Sequence, residues 1–84
     1  MNAVPAKDYR SITESVSAGL ARLRPEIPEV SRGFGAMAQG AIRDGALSAR
    51  TKELIALALG VAAHCDACIG FHMQALIRLG ASRA

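Results

Sequence analysis

Leu47-Ser48-Ala49-Arg50-Thr51-Lys52-Glu53-Leu54-Ile55-Ala56-Leu57-Ala58-Leu59-Gly60-Val61-Ala62-Ala63 is the stretch that decides the fold. Ser48 suits an N-cap, because its hydroxyl can accept one of the backbone N–H groups that a helix leaves unpaired at its start. After Glu53 every residue to Ala63 except Gly60 is Ala, Leu, Ile or Val. A helix apolar around most of its circumference must be buried nearly all round. Gly60 inside it costs about 1 kcal/mol relative to alanine, which predicts close contact with a neighbouring backbone.

Upstream, Val30, Phe34, Met37, Ala41 and Ile42 recur at helical spacing between the Pro25-Glu26-Ile27-Pro28 break and a stop at Asp44-Gly45. Earlier still, Tyr9, Ile12, Val16, Leu20 and Leu23 predict an amphipathic helix over 9–23, with Ser11 and Glu14 placed for a capping box. Downstream, Ala63-His64-Cys65-Asp66 interrupts the apolar run, and Cys65 or Asp66 begins a fourth helix that continues through Leu79 to a C-cap at Gly80. Nothing alternates with the period of a strand. The expectation is an all-α single domain of four helices, a helical pair in 1–46 and a core in 47–84.

Chains of 84 residues bury only about 60% of the surface their unfolded state exposes. Yet 51% of this one is hydrophobic, more than a small monomer can enclose, so a homo-oligomer is expected. The ten Lys and Arg exceed the seven Asp and Glu, giving +3, but they are scattered singly. Tyr9, Phe34 and Phe71 are the aromatics and none is interleaved with basic residues, which argues against nucleic-acid binding. The opening MNAVPAKDYR lacks a signal-peptide core, and the apolar stretch 54–63 is too short to span a bilayer. These features predict a soluble cytoplasmic protein with no membrane contact. In that compartment structural disulfides are rare, so a C-x-x-C pair points to redox chemistry or metal binding.

Cys65, Cys68 and His72 fall in one helical row, with Leu76 and Leu79 continuing it inward. Only a thiolate is a nucleophile, and both a helix N-terminus and a nearby base favour it. Asp66, between the cysteines, works in the other direction. Glu53 is the acid of an otherwise apolar helix segment, twelve residues before Cys65, and calls for a partner. His72 is one, since a carboxylate orienting an imidazole that deprotonates a nucleophile is a common arrangement. His64 competes, lying eleven residues after Glu53 and only ~20° of arc away. Other readings stand beside these: two small buried hydrophobes, a zinc site completed by His72 or His64, or a surface Glu53 paired with Arg50 or Lys52.

Residues 47–58 followed by Cys65-Asp66-Ala67-Cys68-Ile69-Gly70-Phe71-His72 resemble the core of the carboxymuconolactone decarboxylase superfamily. More narrowly they resemble its AhpD-like alkylhydroperoxidase branch, whose pattern is a helix-borne Glu, eleven residues, then C-x-x-C-x-x-x-H. The resemblance covers Leu47 to about Ser82. It implies an all-α fold, a trimer or hexamer, Cys68 as the thiol that acts first, Cys65 as its disulfide partner, and Glu53 with His72 as a proton relay. It also implies no bound cofactor, a peroxide substrate, an external dithiol such as lipoamide or a protein thiol as reductant, and a peroxiredoxin or lipoyl protein as partner. Three residues at a helix start can satisfy the 4.4 to 6.8 Å Cα span of a disulfide.

Two departures accompany it. The best-characterised type carries a further His between the cysteines, where this chain has Ala67, with His64 as the auxiliary candidate. Family members also usually continue past Leu79-Gly80-Ala81-Ser82 into another helix, so a short or C-terminally truncated member is expected. The alternative to an enzyme is an oligomeric module whose thiols act only as a redox sensor. The lactone chemistry that names the superfamily fits less well, since that branch typically lacks the cysteine pair.

Overall fold

In a computed structural model that describes residues 6–83, the first helix, α1 (Tyr9–Leu23), starts at Asp8. The Asp8 carboxylate accepts the N–H groups of Arg10 at 3.1 Å and Ser11 at 3.2 Å. The expected capping box at Ser11 and Glu14 is therefore replaced. Ser11 lies inside the helix and donates its own hydroxyl to Asp8 at 2.9 Å, because an earlier carboxylate is the stronger acceptor. These bonds hold the Asp8 carboxyl below its ordinary pKa, the Ser11 hydroxyl first among the causes.

The second helix, α2 (Pro28–Ile42), opens with Pro28, whose missing N–H costs nothing at that position. The third, α3 (Ala49–Ala62), has the expected Ser48 cap, its hydroxyl accepting the Thr51 N–H at 3.1 Å. It closes through two reversed bonds, Cys65 N–H to Gly60 C=O at 2.9 Å and His64 N–H to Val61 C=O at 3.1 Å. His64 takes the left-handed conformation (φ 57°) that this ending requires. The chain then enters α4 (Asp66–Arg78) at once. That helix ends in the same way around Gly80 (φ 81°), with Ala81 N–H bonded to Leu76 C=O and Gly80 N–H to Ile77 C=O, both at 3.0 Å.

α4 lies between α3 and α1 and packs on both, whereas α2 touches only α3. Two glycines permit the close approach. A Cβ on Gly60 would stand 3.1 Å from the Cβ of Cys68, which is the backbone proximity its sequence position predicts. A Cβ on Gly70 would stand 2.5 Å from the Thr13 methyl and 3.4 Å from the Tyr9 carbonyl. Thr13 is held there, donating to the Arg10 carbonyl at 3.0 Å and accepting from Gln74 at 2.9 Å.

Little else is buried. Among the described residues Leu76 is the one large apolar side chain in the core, at 3% exposure. Leu79 does not continue the row inward: it follows the last helical residue and is exposed as the chain turns at Gly80. Nor is α3 enclosed on all sides, since Leu54, Ile55, Leu59 and Val61 face outward. On α2 the apolar row Val30, Phe34 and Met37 is 64%, 65% and 66% exposed. The radius of gyration, 14.9 Å, exceeds the roughly 12 Å of a close-packed chain this long, and the difference reflects the outlying α2. Among the described residues no helix is long and apolar enough to cross a membrane. Residues 1–5, with which the stretch lacking a signal-peptide core begins, lie outside that description, as does Ala84.

Candidate redox site

Glu53 sits in the second turn of α3 with its side chain turned toward α4, where it is 6% exposed. Its Oε2 accepts a hydrogen bond from Nδ1 of His72 at 2.6 Å. Arg50 and Lys52, the cations that would have made Glu53 an ordinary surface acid, are engaged elsewhere. Arg50 donates to the Leu79 carbonyl at 2.8 Å, and Lys52 donates to the carbonyls of Ala41 at 3.0 Å and Arg43 at 2.6 Å. Both place positive charge at the negative end of a helix, α4 and α2 respectively. The carboxylate is thus left to a single imidazole. With Nδ1 donating to Glu53, Nε2 of a neutral ring carries the lone pair and is the basic position.

Cys65 is the N-cap of α4, and its Sγ accepts the Cys68 N–H at 3.2 Å. The two cysteines are bonded as a disulfide with their Cα atoms 5.2 Å apart, inside the span their spacing allows. The aids to thiolate formation are divided between them. The helix-end N–H is given to Cys65, whereas Cys68, one turn before His72, shares a face with the imidazole. Cys65, Cys68 and His72 line one open depression of about 320 Å³ whose remaining wall is apolar: Ala56, Leu59, Gly60 and Ala63. Glu53 borders a separate depression of about 610 Å³, between α2 and α3, with Ala38, Gln39, Ile42, Arg43, Asp44 and Ala49. Its imidazole partner His72, and not the carboxylate itself, lines the hollow that holds the disulfide.

Glu53, Cys65, Cys68 and His72 come together on the α3–α4 hairpin, although the first and last are nineteen residues apart in sequence. His64 does not bond Glu53. It is exposed in the turn, where its backbone conformation sets the direction from which Cys65 enters α4. Among the described residues no group of three or more His, Cys, Asp or Glu stands as a metal-binding cluster.

Sequence reading leaves out one contact at this site. Lys7, before α1, donates to both carboxylate oxygens of Asp66, at 2.9 and 3.0 Å. The partners are 59 residues apart, so no local pattern announces them.

Residues 28–84, which include the whole α3–α4 hairpin and α2, match the family described as carboxymuconolactone decarboxylase. The chain belongs to the carboxymuconolactone decarboxylase family. The crystal structure of the apo form of a carboxymuconolactone decarboxylase family protein from Legionella pneumophila is similar to it, with a TM-score of 0.85 and 51% identity, over 89% of this chain and 67% of that one. An uncharacterized protein of Cupriavidus necator is 37% identical over 75 residues, 73% of this chain. Another from Haemophilus influenzae is 32% identical over 67 residues, 80% of this chain. The chain spans 66% and 59% of the lengths of these two relatives. Membership in the carboxymuconolactone decarboxylase family agrees with the all-α, four-helix fold, and the matched residues include Glu53, Cys65, Cys68 and His72.

Proposed function

We propose that this protein is a thiol-dependent peroxidase or dithiol–disulfide oxidoreductase of the AhpD-like branch. The observation that carries the proposal is the junction, on one hairpin, of a bonded Cys65–Cys68 pair with a part-buried Glu53–His72 hydrogen bond.

In the reduced protein, Nε2 of His72 takes the proton of Cys68, and Glu53 stabilises the imidazolium that results. The Cys68 thiolate attacks the terminal oxygen of an alkyl hydroperoxide. The O–O bond breaks, Cys68 becomes a sulfenic acid, and the departing alkoxide takes the proton from His72 to leave as an alcohol. Cys65 then attacks the Cys68 sulfur, the S–O bond breaks, and water leaves as the disulfide closes. An external dithiol completes the cycle. Its thiolate attacks Cys68, Cys65 departs as a thiolate that the Cys68 N–H stabilises, and the dithiol is released as a disulfide. Hydroperoxide and dithiol become alcohol, water and disulfide.

The apolar wall of Ala56, Leu59, Gly60 and Ala63 suits the hydrocarbon part of an alkyl hydroperoxide or of a lipoamide-like carrier. A protein thiol, on a peroxiredoxin or a lipoyl protein, is the other supply or outlet of electrons, and a cytoplasmic setting keeps that supply reduced. The exposed apolar faces of α2 and α3 favour a homo-oligomer, with a trimer or hexamer as the assembly the AhpD-like branch implies. Ala67, where the best-characterised type of that branch has a histidine, favours a second reading in which the pair reacts once and serves as a redox sensor.

Steady-state peroxide consumption with a panel of dithiols decides between the two. Repeated turnover is expected, with Cys65→Ser stopping it and leaving Cys68 to gain oxygen atoms detectable by mass spectrometry. A single stoichiometric disulfide and no turnover with any dithiol assigns the sensor. Failure of peroxide to form the disulfide at all removes both.

A further inference from the structure

We propose that Lys7 is a positioning residue of the redox centre: by holding Asp66 through both carboxylate oxygens, it cancels the one negative charge set between the two cysteines. The inference deepens the redox reading of the Cys65–Cys68 pair and rests on it.

Asp66 is the first residue of α4, the helix whose N-terminal turn contains both sulfurs. A carboxylate there suits the helix end, but it opposes a second negative charge on either cysteine. Lys7 removes that opposition without touching sulfur. Its position is set by the body of the protein, because α1 begins two residues later and seats against α4 at Gly70. The Asp66 hydrogen bonds, and then the attraction of its charge, hold the Lys7 ammonium above its ordinary pKa, so it is charged throughout the range in which a thiol titrates.

The pair is exposed, with side-chain accessibilities of 60% and 37%, and exposed ion pairs contribute little to stability. Its effect falls on the neighbouring thiolate. Among the other charged or titratable groups around this helix end, Glu53 and His72 bond each other and Asp8 caps α1. Tyr9 and Arg10 line the groove beside Ile69 and Gly70, His64 lies in the turn, and the charge interaction of Tyr9 with Lys7 is the smallest of the influences on the ammonium.

The test is the pH profile of iodoacetamide alkylation at Cys68 in the full reduced chain, with alkylated peptides read by mass spectrometry and folding checked by circular dichroism. Lys7→Met is expected to raise the midpoint by on the order of half a pH unit at low ionic strength, and most of that shift should vanish in 1 M NaCl. Lys7→Arg should restore the wild-type profile. In an Asp66→Asn background Lys7→Met should move nothing. An unchanged midpoint in Lys7→Met, or an equal shift in the Asp66→Asn background, overturns the proposal. The profile is read without turnover, so a wild-type protein that fails to consume peroxide would leave this result standing and count only against the peroxidase reading.

Discussion

In the α3–α4 hairpin and in α2 alike, Ala, Gly and aliphatic residues together make up a little over half of the residues, and the two regions end up in different conditions. In the hairpin, Gly60 brings the backbones together, a buried carboxylate finds an imidazole, and the sulfurs sit at a capped helix end. On α2 no residue is buried, and its largest apolar side chains, Phe34 and Met37, are about two-thirds exposed. The four residues of the candidate site thus meet within one chain, while much of its apolar surface is left uncovered. Hydrophobic contact is non-directional and can be supplied by another copy, whereas the hydrogen bond of 2.6 Å between Glu53 and His72 depends on distance and angle, which α3 and α4 of this chain set.

The sharpest way to break this contrast is Phe34→Asp. If α2 meets another copy through its apolar row, an unpaired charge buried there should cost about 3 kcal/mol or more of association, on the order of 100-fold in the dissociation constant. Sedimentation velocity at micromolar concentration measures it. A wild-type chain that already runs as a monomer would contradict the division of labour. Glu53→Gln tests the other side. It keeps the side-chain shape and removes the charge, so peroxide turnover should fall about 100-fold and Cys68 alkylation should shift to higher pH, with helical content unchanged. A wild-type alkylation profile would make the buried carboxylate structural.

Smaller effects sharpen the same contrast through glycine. Gly70→Ala drives a methyl into Thr13, whose hydroxyl is fixed on both sides, and should cost about 1–3 kcal/mol in urea unfolding. On α2, Gly40 has nothing within 4 Å of an added Cβ. Gly40→Ala should therefore stabilise the chain by up to about 1 kcal/mol. Destabilisation instead would locate the seat of a neighbouring copy over Gly40.

Local sequence carried the helix ends well where one side chain decides them. Ser48 before an apolar run and Gly80 at a last turn are each read from a single residue's conformational or hydrogen-bonding preference, whereas Pro28, expected only as part of the break after the first helix, opens α2. The start of α1 shows the limit of that method: Asp8 and Ser11 both offer caps, and the contest turns on acceptor strength rather than spacing. Periodicity put Cys65, Cys68 and His72 on one face, and it left Glu53 two histidines to choose from. The choice fell to the turn, because a left-handed His64 reverses the chain and brings the next helix, with His72, alongside α3. What periodicity could not read was how much of an apolar helix its own chain covers. It marks α3 as apolar around most of its circumference, but the burial nearly all round expected from that fails here, where Leu54, Ile55, Leu59 and Val61 face outward. Lys7 was beyond reach for a simpler reason: its partner is a tertiary neighbour on the helix that α1 packs against.

α4 is capped by sulfur where most helices use oxygen, so the end of this helix changes chemically with every change of oxidation state. A thiol, a thiolate and a disulfide sulfur accept the Cys68 N–H with different strengths. The Cys68 amide is thereby a built-in gauge: its proton chemical shift and its hydrogen-exchange rate should track the charge and bonding of Cys65 in intact protein, with no label added and no substrate consumed.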